Sequence, residues 1–154
     1  MATVYSVQKT KWNQTTPSEN ISTTEMSGRI RIAHGVYEAS SLASGDVIEM
    51  FNIPNGARLI EGSLAHDALG SSTTLSVGYA AHTNSAGTAV SASAAAYKAA
   101  AASTSAQKVD ILATLALGSG TVVDADKDGL PVSVTMGGAA GTGTVELTIK
   151  WVLD

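Results

Sequence analysis

Val145, Leu147, Ile149 and Trp151 alternate with Thr144, Glu146, Thr148 and Lys150. In a strand successive side chains point to opposite faces, so this stretch makes one oily face and one wet face. A helix would set neighbouring apolar members about 200° apart and scatter the stripe. The same period of two recurs along the chain. Ile30 and Ile32 alternate with Arg29 and Arg31, Leu75, Val77 and Tyr79 with Thr74, Ser76 and Gly78, and Val132, Val134 and Met136 with Ser133 and Thr135. Three further segments, Asp46 to Phe51, Ala57 to Leu64 and Val109 to Leu117, are β-branched or Leu-rich runs bounded by turn residues. The separators are Ser44-Gly45, Pro54-Asn55-Gly56, Gly70-Ser71-Ser72, Gly118-Ser119-Gly120, Asp128-Gly129 and the glycines of 137–143. Pro54-Asn55-Gly56 suits a turn with positive φ at the glycine. About seven or eight strands with short connections predict an all-β fold, an antiparallel two-sheet sandwich of jelly-roll-like connection.

Two regions depart from that period. Ala86 to Ala106 is dominated by Ala and Ser around Tyr97-Lys98. Its high helix propensity predicts a short helix or a long loop crossing one end of the sandwich, with Tyr97 pinning it to a surface. Residues 1–28 begin with a strand-like Val4 to Val7 and continue as a polar run from Asn13 to Gly28 that holds Pro17. Such a run cannot bury enough surface to fold alone. Tyr5, Trp12, Ile21 and Met26 are nonetheless spaced as anchors, which a solvated tail does not need. The expectation is an extended N-terminal arm, 1–28, ordered against a neighbouring subunit, followed by one sandwich domain, 29–154.

Composition bounds the function. The 154 residues suffice for one core, and 44% are hydrophobic but only 5% aromatic, so that core is aliphatic. Charged residues are 14%, against roughly 25% in ordinary globular domains. Ser, Thr, Gly and Ala take their place, which keeps a surface wettable and lets another surface approach closely. A net charge of −4 with scattered Lys and Arg argues against a nucleic-acid partner. Cysteine is absent, which excludes disulfides and thiolate metal sites. The N-terminus lacks the basic and apolar regions of a signal peptide, and no apolar run approaches the roughly 18 residues that span a membrane. Synthesis in a cytoplasm without a cleaved signal or a membrane partner is therefore expected. On that expectation, Asn13-Gln14-Thr15 and Asn20-Ile21-Ser22 match the glycosylation pattern by chance.

No motif amounts to an active site. Asp124-Ala125-Asp126-Lys127-Asp128-Gly129 matches the first six positions of a calcium loop, but position twelve is Thr135 and a strand follows. Asp124, Asp126 and Asp128 are a weak metal candidate beside the reading as an acidic turn. The glycines of 137–143 lie between strands with no following Lys, so a hairpin loop is expected there rather than a phosphate cradle. His34, His66 and His82 share no ligand spacing. Ser63, His66 and Asp67 are near in sequence, but a triad assembles only in space and no nucleophile elbow is present. Paired glycosidase-like carboxylates are equally unsupported. No enzyme activity and no cofactor are expected.

The stretch Gly45-Asp46-Val47-Ile48-Glu49-Met50-Phe51-Asn52-Ile53-Pro54-Asn55-Gly56-Ala57-Arg58 resembles segments of small structural proteins of tailed bacteriophages. So does Leu69-Gly70-Ser71-Ser72-Thr73-Thr74-Leu75-Ser76-Val77-Gly78, and the Gly- and Thr-rich final hairpin, Thr135 to Trp151, is similar as well. The resemblance covers 29–80 and the last twenty residues. It implies a virion structural protein, a capsid decoration or cement protein at the capsid surface. Such proteins bridge major capsid protein subunits as homo-oligomers, here a dimer or trimer. No catalytic residue is carried over. Partner contacts are then expected from Tyr5, Trp12, Ile21 and Met26 in the arm and from Tyr97. The alternative is a tail, neck or fibre-associated module, structural or carbohydrate-binding, for which Tyr79 and Tyr97 are the aromatic candidates.

Overall fold

The computed structural model describes residues 5–14, 26 and 28–153. One short helix, α1 (Val7–Asn13), precedes ten strands. These are β1 (Ile30–Leu42), β2 (Val47–Ile53), β3 (Arg58–His66), β4 (Thr73–Tyr79), β5 (His82–Thr83), β6 (Ala89–Val90), β7 (Ser93–Ala102), β8 (Gln107–Ile111), β9 (Leu130–Gly138) and β10 (Gly141–Val152). Eight of them form two four-stranded sheets, ordered β1-β10-β3-β8 and β2-β9-β4-β7, with β5 and β6 a small ribbon beside them. Every pairing is antiparallel. Successive long strands alternate between the sheets except at the β4-to-β7 step, which is the jelly-roll connection.

The alternation places the core where the sequence puts it. Val145, Leu147 and Ile149 of β10 are fully buried, while Glu146 between them is exposed. Leu59, Leu64 and Ile111 complete that sheet's inner face. Facing them, Ile48, Ile53, Leu75, Val77, Leu130, Val132, Val134 and Met136 come from the second sheet. Each such side chain contributes about 1.5–3 kcal/mol by leaving water, so an almost wholly aliphatic core suffices.

Four expectations need correction. The Ala-rich segment is neither helix nor loop but the edge strand β7, paired with β4 from Thr74↔Ala102 to Tyr79↔Ser93. Alanine's helical preference is only tenths of a kcal/mol per residue, and an isolated nine-residue helix is marginal. Pairing with β4 satisfies the backbone and buries Tyr97, which outweighs that preference. At the N-terminus, Val7 opens a helix rather than closing a strand, because the Ser6 hydroxyl caps it by accepting from the Lys9 N–H at 3.2 Å. The run predicted to Leu117 leaves β8 at Ile111, where Leu112 takes φ 57° and a 3₁₀ turn follows at Leu115–Leu117. Finally, the glycines of 137–143 do not close a hairpin. They make the corner by which the chain passes from β9 in one sheet to β10 in the other.

Candidate interaction surface

A sheet edge presents unpaired N–H and C=O groups, and proteins ordinarily blunt such edges with bulges, short strands or charge. Four strands form edges here: β1 and β8 in one sheet, β2 and β7 in the other. Strand β8 has only five residues. Strand β2 shifts register between Glu49 and Phe51, and the β4–β7 pairing shifts twice. Strand β1 is different. It pairs with β10 residue for residue from Ile30↔Val152 to Ala39↔Gly143, and its register shifts only beyond Ala39.

The faces of β1 also run against the simple reading of its sequence. Ile30 and Ile32, expected to point inward as the oily face, are 63% and 60% exposed, and Val36 beyond them is 57% exposed. On the other side Ala33, Gly35 and Ala39 are the covered positions, all small, while Arg31 and Tyr37 among them stay exposed. The cause is the neighbour across the sandwich. A Cβ on Gly35 would lie 3.1 Å from the Met50 carbonyl oxygen and 3.2 Å from the Phe51 ring, so β2 comes too close for a side chain there. Ile30, Ile32 and Val36 are left on the outer face, where His34 bonds the Thr148 hydroxyl at 2.9 Å and Glu38 accepts from the Thr144 hydroxyl at 2.8 Å. Val47, at the start of β2, is exposed as well, and Tyr37 is half-exposed. The β1 edge is therefore long and regular, with Ile30, Ile32 and Val36 exposed alongside Arg31, His34 and Glu38. Beyond it the same outer face turns ionic, with Lys150 paired to Glu61.

The arm residues are placed only in part. Tyr5, Trp12 and Met26 are exposed, Trp12 by 65%, and no residue of α1 is buried. Trp12 and Met26 line one shallow hollow with Lys9. Ile21 lies outside the described residues. Tyr97, expected as a surface anchor, is 5% exposed and belongs to the core, because β7 turns that side chain inward.

The chemical candidates are not brought together. Asp126 caps the Asp128 N–H at 2.9 Å, Asp128 holds Lys127 at 2.8 Å and Asp124 accepts from Ser85. No cluster of metal-ligating side chains occurs among the described residues. His66 bonds the backbone carbonyl of Asp67, not its carboxylate, and Ser63 sits on the opposite face of β3. The Asp67 carboxylate instead accepts the Thr144 N–H at 3.0 Å, which holds it below the usual carboxylate range.

Chains of three phage capsids are among the solved structures with a similar fold. A chain of the cyanophage Pam1 capsid asymmetric unit aligns with a TM-score of 0.62 at 17% identity, covering 92% of this chain and 98% of its own. A chain of the Ralstonia phage GP4 capsid gives 0.59 at 22% identity, covering 82% and 86%. One from the acid-stable capsid of Helicobacter pylori bacteriophage KHP30 gives 0.51 at 13%, covering 80% and 87%. At these identities what is shared is the fold. No protein-family model and no curated sequence matches the chain.

Sequence reasoning missed Ile30, Ile32 and Val36 as surface residues. A signal was available: the positions between and after them, Ala33, Gly35 and Ala39, are too small to form a core face alone.

Proposed function

We propose that this protein is a virion structural component that decorates the phage head and bridges major capsid protein subunits. The observation that carries the reading is the β1 edge: a long, regular strand with Ile30, Ile32 and Val36 exposed, in a fold shared with chains of three phage capsids. An unshielded edge gains backbone hydrogen bonds and buries apolar area when a second chain is laid along it. The arm of residues 1–28 supplies a further contact through Tyr5, Trp12, Ile21 and Met26, in a homo-oligomer at the capsid surface. Many modest contacts repeated by symmetry then hold through avidity. A low-charge chain without a cluster of ligating side chains among its described residues supports a structural role over a catalytic one.

The test is co-sedimentation with particles assembled without this protein. The wild-type chain binds at a copy number comparable to the main coat protein. The Ile30→Asp/Ile32→Asp variant, and a chain lacking residues 1–25, fold normally and bind poorly. Undiminished binding by both variants would remove the edge and the arm from the contact. A handful of copies per particle would assign the protein to the tail or neck.

A further inference from the structure

At the end of the sandwich where β4 finishes, residues from four separate segments converge on a cleft of about 240 Å³. Tyr79 comes from the end of β4, His82 from β5, Tyr97 from β7 and Asp124 from the loop before β9. The rings form a continuous wall. Tyr79 meets His82 edge-on at 5.3 Å between centroids, and Tyr97 at 6.0 Å with the rings tilted by 56°. Val90 and Val122 add apolar sides. The wall is held from behind, because Gly118, at φ 85°, leaves room for the Tyr97 ring edge 3.1 Å from where a Cβ would stand.

The polar groups here are placed but not used up. Tyr97 is 5% exposed, its hydroxyl makes no hydrogen bond to any described residue, and that hydroxyl keeps access to solvent. Burial, with Tyr79 beside it, pushes this phenol's pKa up, so it remains a donor. His82 donates Nδ1–H to the Ala80 carbonyl at 3.2 Å, and its Nε2 has no bond to a described residue. One carboxylate oxygen of Asp124 accepts from the Ser85 hydroxyl at 2.6 Å and its N–H at 2.9 Å, which fixes the group and keeps it ionised. Its second oxygen has no bond to a described residue.

We propose that this cleft binds one ring of a neutral saccharide. Aromatic faces take the C–H side of a sugar, and a phenol, an imidazole nitrogen and a carboxylate oxygen take its hydroxyls. The carboxylate repels phosphates and acidic sugars. A quaternary ammonium would suit the rings and the carboxylate but could not accept a hydrogen bond from Tyr97. The volume falls just below the roughly 300–1,000 Å³ of drug-sized sites, which fits a single ring. The site lies apart from the β1 edge, so the protein can hold a glycan whether or not it also docks on a capsid.

The full chain is titrated with glucose, galactose, mannose and N-acetylglucosamine, with tetramethylammonium and inorganic phosphate as contrasts, and followed by NMR shifts of the Tyr79, His82 and Tyr97 rings. At least one saccharide is expected to saturate at millimolar concentration, with shifts confined to this cleft. Tyr97→Phe removes only an oxygen without a protein partner, so it folds as the wild type and weakens binding about tenfold. Asp124→Asn is expected to weaken binding by a similar factor. The proposal is overturned if no saccharide shifts these rings, if Tyr97→Phe binds as the wild type does, or if tetramethylammonium or phosphate saturates the cleft in their place.

Discussion

Strands β1 and β10 lie side by side, run antiparallel and are both read from the sequence as alternating, yet they resolve their alternation in opposite senses. Val145, Leu147 and Ile149 of β10 point into the sandwich, whereas Ile30, Ile32 and Val36 of β1 point out of it. A central strand has neighbours on both sides, and its register is held by two ladders, so its apolar set follows the core. An edge strand has one ladder and one neighbour across the sandwich. Here that neighbour, β2, approaches Gly35 so closely that a side chain there would meet Met50 and Phe51. Alternation therefore locates a strand and leaves open which of its faces is wet.

The sharpest way to break this contrast is to truncate the central strand. Leu147→Ala removes a fully buried side chain and is expected to destabilise the domain by about 2–5 kcal/mol in chemical denaturation. Next in size is Gly35→Val, which forces branched carbon against Met50 and Phe51 and should destabilise by about 1–3 kcal/mol. Were that variant as stable as the wild type, the close approach of β2 would not be what turns Ile30 and Ile32 outward. Smaller still is Ile32→Asp, an exposed position, expected to change stability by no more than about 0.5 kcal/mol while weakening particle binding. A large loss of stability would mean that Ile32 is inside after all.

The smallest effect is in acid. Thr144 at the start of β10 donates its N–H to Asp67, so the folded carboxylate's pKa lies below its unfolded value. The stabilisation is fully present above the unfolded pKa and fades as pH falls through the folded one. Thermal melts of Asp67→Asn should show a shallower decline than the wild type on that acid limb, and the two should differ least at the lowest pH.

Legibility followed the same physics. Strands β4, β9 and β10 were readable because each carries β-branched or large apolar residues at every second position. Strand β7 was not, since its alanines carry no face, and only pairing with β4 makes that run a strand. The first turn of α1 depends on one Ser6 cap within a polar stretch, too weak a signal against the strand-like Val4 to Val7. The exposed surface was half legible. Tyr5, Trp12 and Met26 are exposed, but Tyr97 is in the core, and Ile30 and Ile32 face outward where the alternation was read as pointing them in. The cleft could not be read at all, because Tyr79, His82, Tyr97 and Asp124 meet only when the sandwich closes.

By itself the sequence determined an all-β chain with an aliphatic core, because a period of two along the backbone is a local property that sterics enforce residue by residue. Tertiary structure alone decided which face of β1 is wet, that an alanine run becomes an edge strand, and which aromatic rings share a cleft. Those outcomes depend on how near one sheet lies to the other and on which distant strands pair. Both are set by contacts between residues far apart in the chain.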